Sequence, residues 1–220
     1  MRVALDFWPV LAQWPLLLEG AAWTLGLTAV ATLLGSSVGV ACAWARVSGP
    51  WALRVPAAAY VELIRNTPFI VQLFFVFFGL PAAGIRLTPL TASILAMTIN
   101  LGAYATEIVR AGIQATPRGQ IEAAESLALT RLQVFVHIVL PPALKRVWPA
   151  LTSQIIIVML GSAVCGQISM EELSHAANLI QSRNFRAFEA YILATLVYLG
   201  LAILVRRVLH WAGQRFVFGS

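Results

Sequence analysis

Five stretches of the chain hold almost nothing but apolar residues, with charged residues standing at their edges. Residues 20–45 carry no charge between Glu19 and Arg46, and residues 66–85 carry none between Arg65 and Arg86. Residues 87–106 run up to Glu107, residues 147–170 lie between Arg146 and Glu171, and residues 190–205 separate Glu189 from Arg206. A helix needs about 20 apolar residues to cross roughly 30 Å of hydrocarbon. Four stretches meet that length outright, and the fifth does once Phe185, Ala187 and Phe188 are counted with it. Lipid offers no partner to a backbone amide, so each stretch must satisfy its own hydrogen bonds as a helix. The pattern therefore predicts an all-α membrane protein with five transmembrane helices, at about 20–45, 60–80, 87–110, 147–168 and 187–207.

The second span is the least regular. Pro68 stands near its start and Pro81 ends it, which predicts a helix entered through a kink, with residues 55–65 leading in. Ahead of the first span, Trp8-Pro9 and Trp14-Pro15 with Leu16, Leu17 and Leu18 read as an interfacial anchor over residues 1–19. That segment has none of the features of a removed signal peptide. Residues 20–210 read as one transmembrane domain, followed by a tail at 211–220.

Composition agrees with a lipid-embedded chain. Of 220 residues, 60% are hydrophobic and only 11% charged, with mean hydropathy +0.82. A soluble domain carries about 25% charged residues. The net charge of +6 comes from 15 basic residues spread along the chain. No basic face interleaved with aromatics is present, which argues against nucleic acid as a partner. Cys42 and Cys165 lie in apolar segments without CxxC spacing and read as small buried residues.

The basic residues also set the orientation, because cytoplasmic connections collect Lys and Arg. With five spans, one side holds Arg46, Arg54, Arg65, Arg110, Arg118, Arg131, Lys145, Arg146, Arg206, Arg207 and Arg215. The other holds Arg2, Arg86, Arg183 and Arg186. Eleven against four places the N-terminus in the periplasm and the C-terminus in the cytoplasm.

One cytoplasmic connection is long, about 35 residues between spans three and four, and a loop of that length is usually functional or disordered. This one reads as ordered. Thr116-Pro117 offers an N-cap and a first-turn proline for a helix over 119–127. Thr130 and Gln133 have capping-box spacing for a second helix to about Val139, which Pro141-Pro142 stops. The product is a helix–turn–helix plate over 116–141, lying under the membrane.

That loop contains Glu122-Ala123-Ala124, then Ala128, then Ile138-Val139-Leu140-Pro141. The spacing resembles the EAA loop of permease subunits of ABC importers. Glu62-Leu63-Ile64-Arg65-Asn66-Thr67-Pro68 with Gln72, and residues 100–108 with Arg110, resemble the polar amino acid and opine branch (histidine, glutamate, glutamine, arginine) of that family. So do Ile113-Gln114, Lys145-Arg146 and Asn184-Phe185-Arg186 to Glu189, so that the resemblance covers about residues 20–209. It implies a type I ABC importer permease of the bacterial inner membrane, with a cytoplasmic coupling helix gripped by an ATPase subunit. Glu122, Ala123, Ala124, Ala128, Ile138, Leu140 and Pro141 would form that contact, with Arg118, Glu125 and Arg131 on its rim. Ala128 departs from the family, which usually has glycine there. Left-handed backbone costs an alanine roughly 1 kcal/mol or more.

Polar groups inside a membrane are expensive and mark pathways. Asn100 and Glu107 lie seven residues apart on one face of span three, where Glu107 is a candidate for a substrate ammonium and Asn100 for its carboxylate or amide. The alternative is a structural pair, with Glu107 bonded to Arg110. Thr67, Gln72, Gln154 and Ser162 are further pathway candidates, or ordinary helix–helix hydrogen-bonding groups. Where many relatives carry Lys-Asp-Ser/Thr in span four, this chain has Leu160-Gly161-Ser162. The missing aspartate favours a neutral or acidic substrate over a cationic one, unless a paralogous permease carries the site.

No Walker A loop, HExxH, metal cluster or nucleophile–base pair is written in the sequence. The chain is thus expected to be non-catalytic and to bind no cofactor, with ATP and Mg on the partner. The expected partners are two ATPase subunits, a second permease copy or paralogue, and a periplasmic binding protein meeting loops 81–90 and 169–186. An ion-coupled secondary carrier is the other reading, disfavoured by the lack of an internal repeat. A membrane hydrolase is disfavoured because Ser162 has no neighbouring histidine in sequence.

Overall fold

The computed structural model describes residues 5–218, all of whose regular elements are helical. Arg2, counted above in the charge balance, lies outside them, as do the last two residues of the tail. A short helix α1 (Trp8–Leu11) precedes the long α2 (Trp14–Ser48), followed by α3 (Trp51–Arg65) and α4 (Phe69–Phe74). Beyond α4 the chain widens into a π-helical stretch, Phe75–Gly79, and tightens into 3₁₀ at Leu80–Ala83. Then come α5 (Pro89–Gln114), α6 (Arg118–Ser126), α7 (Arg131–Gln133), α8 (Leu140–Gly161), α9 (Leu173–Asn184) and α10 (Ala187–Ala212).

Four helical runs are long and apolar enough to cross a bilayer: Trp14–Ser48, Pro89–Gln114, Arg131–Ile168 and Ala187–Phe218. A fifth is the pair Trp51–Arg65 and Phe69–Ala83, bent by 112° where they meet. Pro68 causes the break, since it has no N–H to donate and pushes the residue before it out of helical backbone. Side chains add hydrogen bonds to the carbonyls at the end of α3. Thr67 Oγ1 donates to Leu63 O at 2.9 Å, and Asn66 Nδ2 donates to Glu62 O at 2.8 Å.

Pro141-Pro142 does not end the second plate helix, contrary to the sequence expectation. The chain runs helically from Arg131 to Ile168, passing from α7 through a π-helical stretch, Val134–Val139, into α8 and then 3₁₀ at Ser162–Ile168. The π stretch ends just before the two prolines. Bonding to i−5 loosens the ladder where the prolines cannot donate, so the helix continues.

The helices contribute to two compact units. The first comprises 1–31, 69–97 and 156–205. Its core joins Val10, Leu17, Ala21, Met159, Leu173, Ile180, Ala190 and Leu201. Gly20 lets α2 meet the start of α9 closely, because a Cβ there would stand 2.8 Å from Leu173 Cα. Thr24 Oγ1 accepts from Leu173 N at 3.3 Å and donates to Gly20 O at 3.0 Å. The second unit comprises 32–68, 98–155 and 206–220. In it Gly39 packs directly on Ala105, Tyr60 donates to Ile99 O at 2.6 Å, and Trp148 Nε1 donates to Leu209 O at 3.1 Å.

Candidate functional site: an exposed plate and an arginine-ringed carboxylate

The plate belongs to the second unit. Pro117, with extended backbone, is the residue before the first turn of α6, and no side chain caps it. Thr116 does not serve as the cap expected of it, since its Oγ1 is buried with no partner among the described residues. Proline's fixed φ sets the entry instead, and its missing N–H lies where the helix has no acceptor to offer. Thr130 and Gln133 do form the capping box: Gln133 N donates to Thr130 Oγ1, and Thr130 N donates to Gln133 Oε1 at 2.8 Å. Between the helices Ala128 adopts left-handed backbone, with φ of 59°.

The plate has a wet side and a rooted side. Arg118, Glu122, Ala123, Glu125, Ala128 and Arg131 are exposed, as is Pro141. The four charged side chains among them make no ion pair among the described residues. Leu127 is 75% exposed, and Leu132 and Val136 stand out beside it. The other side buries Ala124, Val134, Phe135 and Val139 in one core with Ala105, Val109, Ile113, Ala143, Val147 and Leu151, and Ile138 and Leu140 pack against it half-buried. Trp44 meets Phe135 edge-on, centroids 6.5 Å apart. Small residues at Ala105, Ala124 and Ala143 let these elements approach, so the plate and the ends of α5 and α8 share one packed interior.

A second feature of the same unit centres on Glu107. Its carboxylate accepts from Arg110 through Nε at 3.1 Å and Nη2 at 2.7 Å, and is ion-paired with Arg46. Arg65 Nη1 lies 3.9 Å from Oε2. Arg110 Nη1 also donates to Gln114 Oε1 at 2.8 Å. Glu107 is thus met by three guanidiniums, and the structural pairing with Arg110 is present. The sequence offered only the i+3 partner, because Arg46 and Arg65 come from distant positions.

Of the other pathway candidates, Asn100, Thr67 and Gln154 belong to the second unit, while Gln72 and Ser162 belong to the first. Asn100, Thr67 and Gln72 all have polar partners. Gln154 is half-buried, and Ser162 is fully buried and donates to Met159 O at 2.6 Å.

The first unit holds a polar cluster that sequence reasoning left in an outer loop. Glu172 is completely buried and caps α9, accepting from Ser174 N at 2.9 Å and His175 N at 2.8 Å. Tyr198 Oη donates at 2.6 Å to Oε2, the oxygen that also accepts from Ser174 N. Burial pushes the Glu172 carboxyl above the ordinary carboxylate range, and these hydrogen bonds oppose that push. The only sequence signal was an acidic residue one position before a helix.

A helical membrane chain with a broken second span and an ordered plate between its third and fourth is the architecture of an ABC importer permease. The chain belongs to the family of binding-protein-dependent transport system inner membrane components, whose model matches residues 32–217. It is 40% identical to the probable glutamine ABC transporter permease protein GlnM of Bacillus subtilis (strain 168), over 84% of this chain and 86% of that one. It is 34% identical to the glutamine transport system permease protein GlnP of Escherichia coli (strain K12), over 94% of each chain. An L-cystine transport system permease protein, TcyB of Bacillus subtilis (strain 168), is also 34% identical, over 94% and 90%. Among solved structures, a chain of an amino acid ABC transporter crystallised with histidines superposes with TM-score 0.86 at 34% identity, covering 97% of this chain and 100% of that one. A chain of the inward-facing MetNI methionine ABC transporter, at 22% identity and TM-score 0.65, shares the fold. This chain is therefore a membrane permease subunit, working with a separate ATPase subunit and a substrate-binding protein as its family does.

Proposed function

We propose that this chain forms the translocation path of an ATP-driven amino acid importer of the bacterial inner membrane, as one of a pair of permeases. The carrying observation is the plate. A face with four charges that make no ion pair among the described residues, and with three projecting apolar side chains, is suited to a protein partner, and its other face is packed into the core that holds α5 and α8. ATP and Mg bound by two partner ATPase subunits would close them, and the plate would pass that displacement to the spans. Its rim charges would set register and encounter more than strength. Five spans are few to enclose a pathway, which supports a two-fold or pseudo-two-fold pair. Loops 81–90 and 169–186 would meet the binding protein.

The substrate is proposed to be a neutral or acidic amino acid. Relatives named for glutamine and cystine support this, as does Leu160-Gly161-Ser162, which offers no acid to a cationic side chain. The test is substrate-stimulated ATP hydrolysis by the purified transporter after Glu122→Lys combined with Ala123→Pro. Stimulation should fall at least about tenfold, since a proline inside a helix costs about 3 kcal/mol or more. Full stimulation would sink the coupling role. Uptake that persists without an ATPase subunit would return the protein to the ion-coupled carriers.

A further inference from the structure

Tyr104 shares the face of α5 that carries Asn100 and Glu107, four residues beyond the first and three before the second. The Arg65 guanidinium lies over the Tyr104 ring, its Cζ 5.5 Å from the centroid. Its side chain is 40% exposed and makes no hydrogen bond among the described residues, and its nearest acid is Glu107 at 3.9 Å. Glu62, one turn earlier on α3, accepts from Asn66 at 3.1 Å and is not paired with Arg65. Glu107 is engaged at close range by Arg46 and Arg110. Three positive charges thus meet one negative charge, which leaves a surplus of two. Surplus positive charge at the span ends read as cytoplasmic raises the local concentration of an anion there.

We infer that Arg65, seated on Tyr104, binds the carboxylate of the amino acid in transit, and that Glu107 positions the arginines and does not bind the substrate ammonium. The inference rests on the proposed function and reverses the polarity assigned to this face from sequence. A guanidinium presents two parallel donors, the geometry a carboxylate accepts. Surplus positive charge here also disfavours a cationic solute, in keeping with the absence of an acid at 160–162.

The experiment uses the whole transporter, with its ATPase subunits, permease partner and binding protein, reconstituted in liposomes. Radiolabelled glutamine is the probe, and uptake and ATP hydrolysis are measured together. Arg65→Gln should lower the ratio of uptake to hydrolysis about tenfold, the size of a lost charge-assisted contact. Arg65→Lys should restore only part of that ratio, because it keeps the charge but loses the fork and the contact with the ring. An unchanged ratio in Arg65→Gln overturns the inference, and so does a parallel fall of uptake and hydrolysis in both variants, which is the behaviour of a structural clamp. A parent transporter that takes up none of the amino acids offered overturns the proposed function itself, and the inference falls with it.

Discussion

The two compact units differ in where they keep their charge. Among its described residues the first has Arg86, Arg183 and Arg186 against Asp6, Glu19, Glu171, Glu172 and Glu189, a formal balance of −2. The second has eleven basic residues against Glu62, Glu107, Glu122 and Glu125, a balance of +7, and Arg2, outside the described residues, completes the +6 of the whole chain. In the first unit, acids are used for construction. Glu172 is sealed in and fastens α9 to α10 through Tyr198, while Glu189 accepts from Asp6 N at 3.1 Å and Arg186 at 3.2 Å. Among the described residues the second unit leaves its plate charges without an ion pair and gathers arginines round a single carboxylate. A unit that must hold its own shape spends charge inward, whereas one that must engage other molecules leaves charge available. The excess of Lys and Arg in the second unit also matches the side expected to face the cytoplasm.

The sharpest way to break this comparison is to cut the plate from its root. Ala124→Asp places a carboxylate in a fully apolar core, at a cost of several kcal/mol. Uptake in reconstituted liposomes should fall by at least about 100-fold, equivalent to about 2.8 kcal/mol, while the chain still reaches the membrane. Near-normal uptake would show that the plate need not share the core with α5 and α8.

The next effect belongs to the first unit. Glu172→Leu leaves two backbone N–H groups and the Tyr198 hydroxyl without their acceptor and should cost about 3 kcal/mol, read as a lower unfolding temperature of the purified complex. Glu172→Gln probes its titration. Burial raises the folded-state pKa of this carboxyl, so its stabilising contribution is complete below the unfolded-state value, about 4.3. That contribution is lost as pH rises through the folded value. The parent should therefore lose stability relative to Glu172→Gln as pH rises above about 5, and a constant difference would mean an unshifted carboxylate.

The smallest effect is at the turn of the plate. Ala128 sits at φ 59°, a conformation glycine adopts without strain. Ala128→Gly should stabilise the loop by about 0.5–1 kcal/mol, seen as slower amide exchange over 118–139. Faster exchange would mean that chain flexibility outweighs the relief of strain.

Ala128 also marks how far the sequence could be read. Its strain was legible because a short motif with fixed spacing demands one backbone conformation at one position, and the Thr130–Gln133 capping box was legible for the same reason. The apolar stretches were legible because a bilayer imposes a length. Thr116 was misleading, since a good capping residue next to proline says nothing about whether the helix start is buried. Pro141-Pro142 misled too, because a π-helical turn accommodates two residues that ordinarily end a helix.

The helical class, the broken second span and the ordered plate all follow from local rules: period, proline, capping and charge bias. Only the tertiary structure decided that Glu107 draws in Arg46 and Arg65 as well as Arg110, and that Glu172 is buried against Tyr198. These contacts join residues 26–61 positions apart, at distances set by how the helices pack. Electrostatic energy depends on separation and burial in space, so no pattern along one chain could assign these charges their partners.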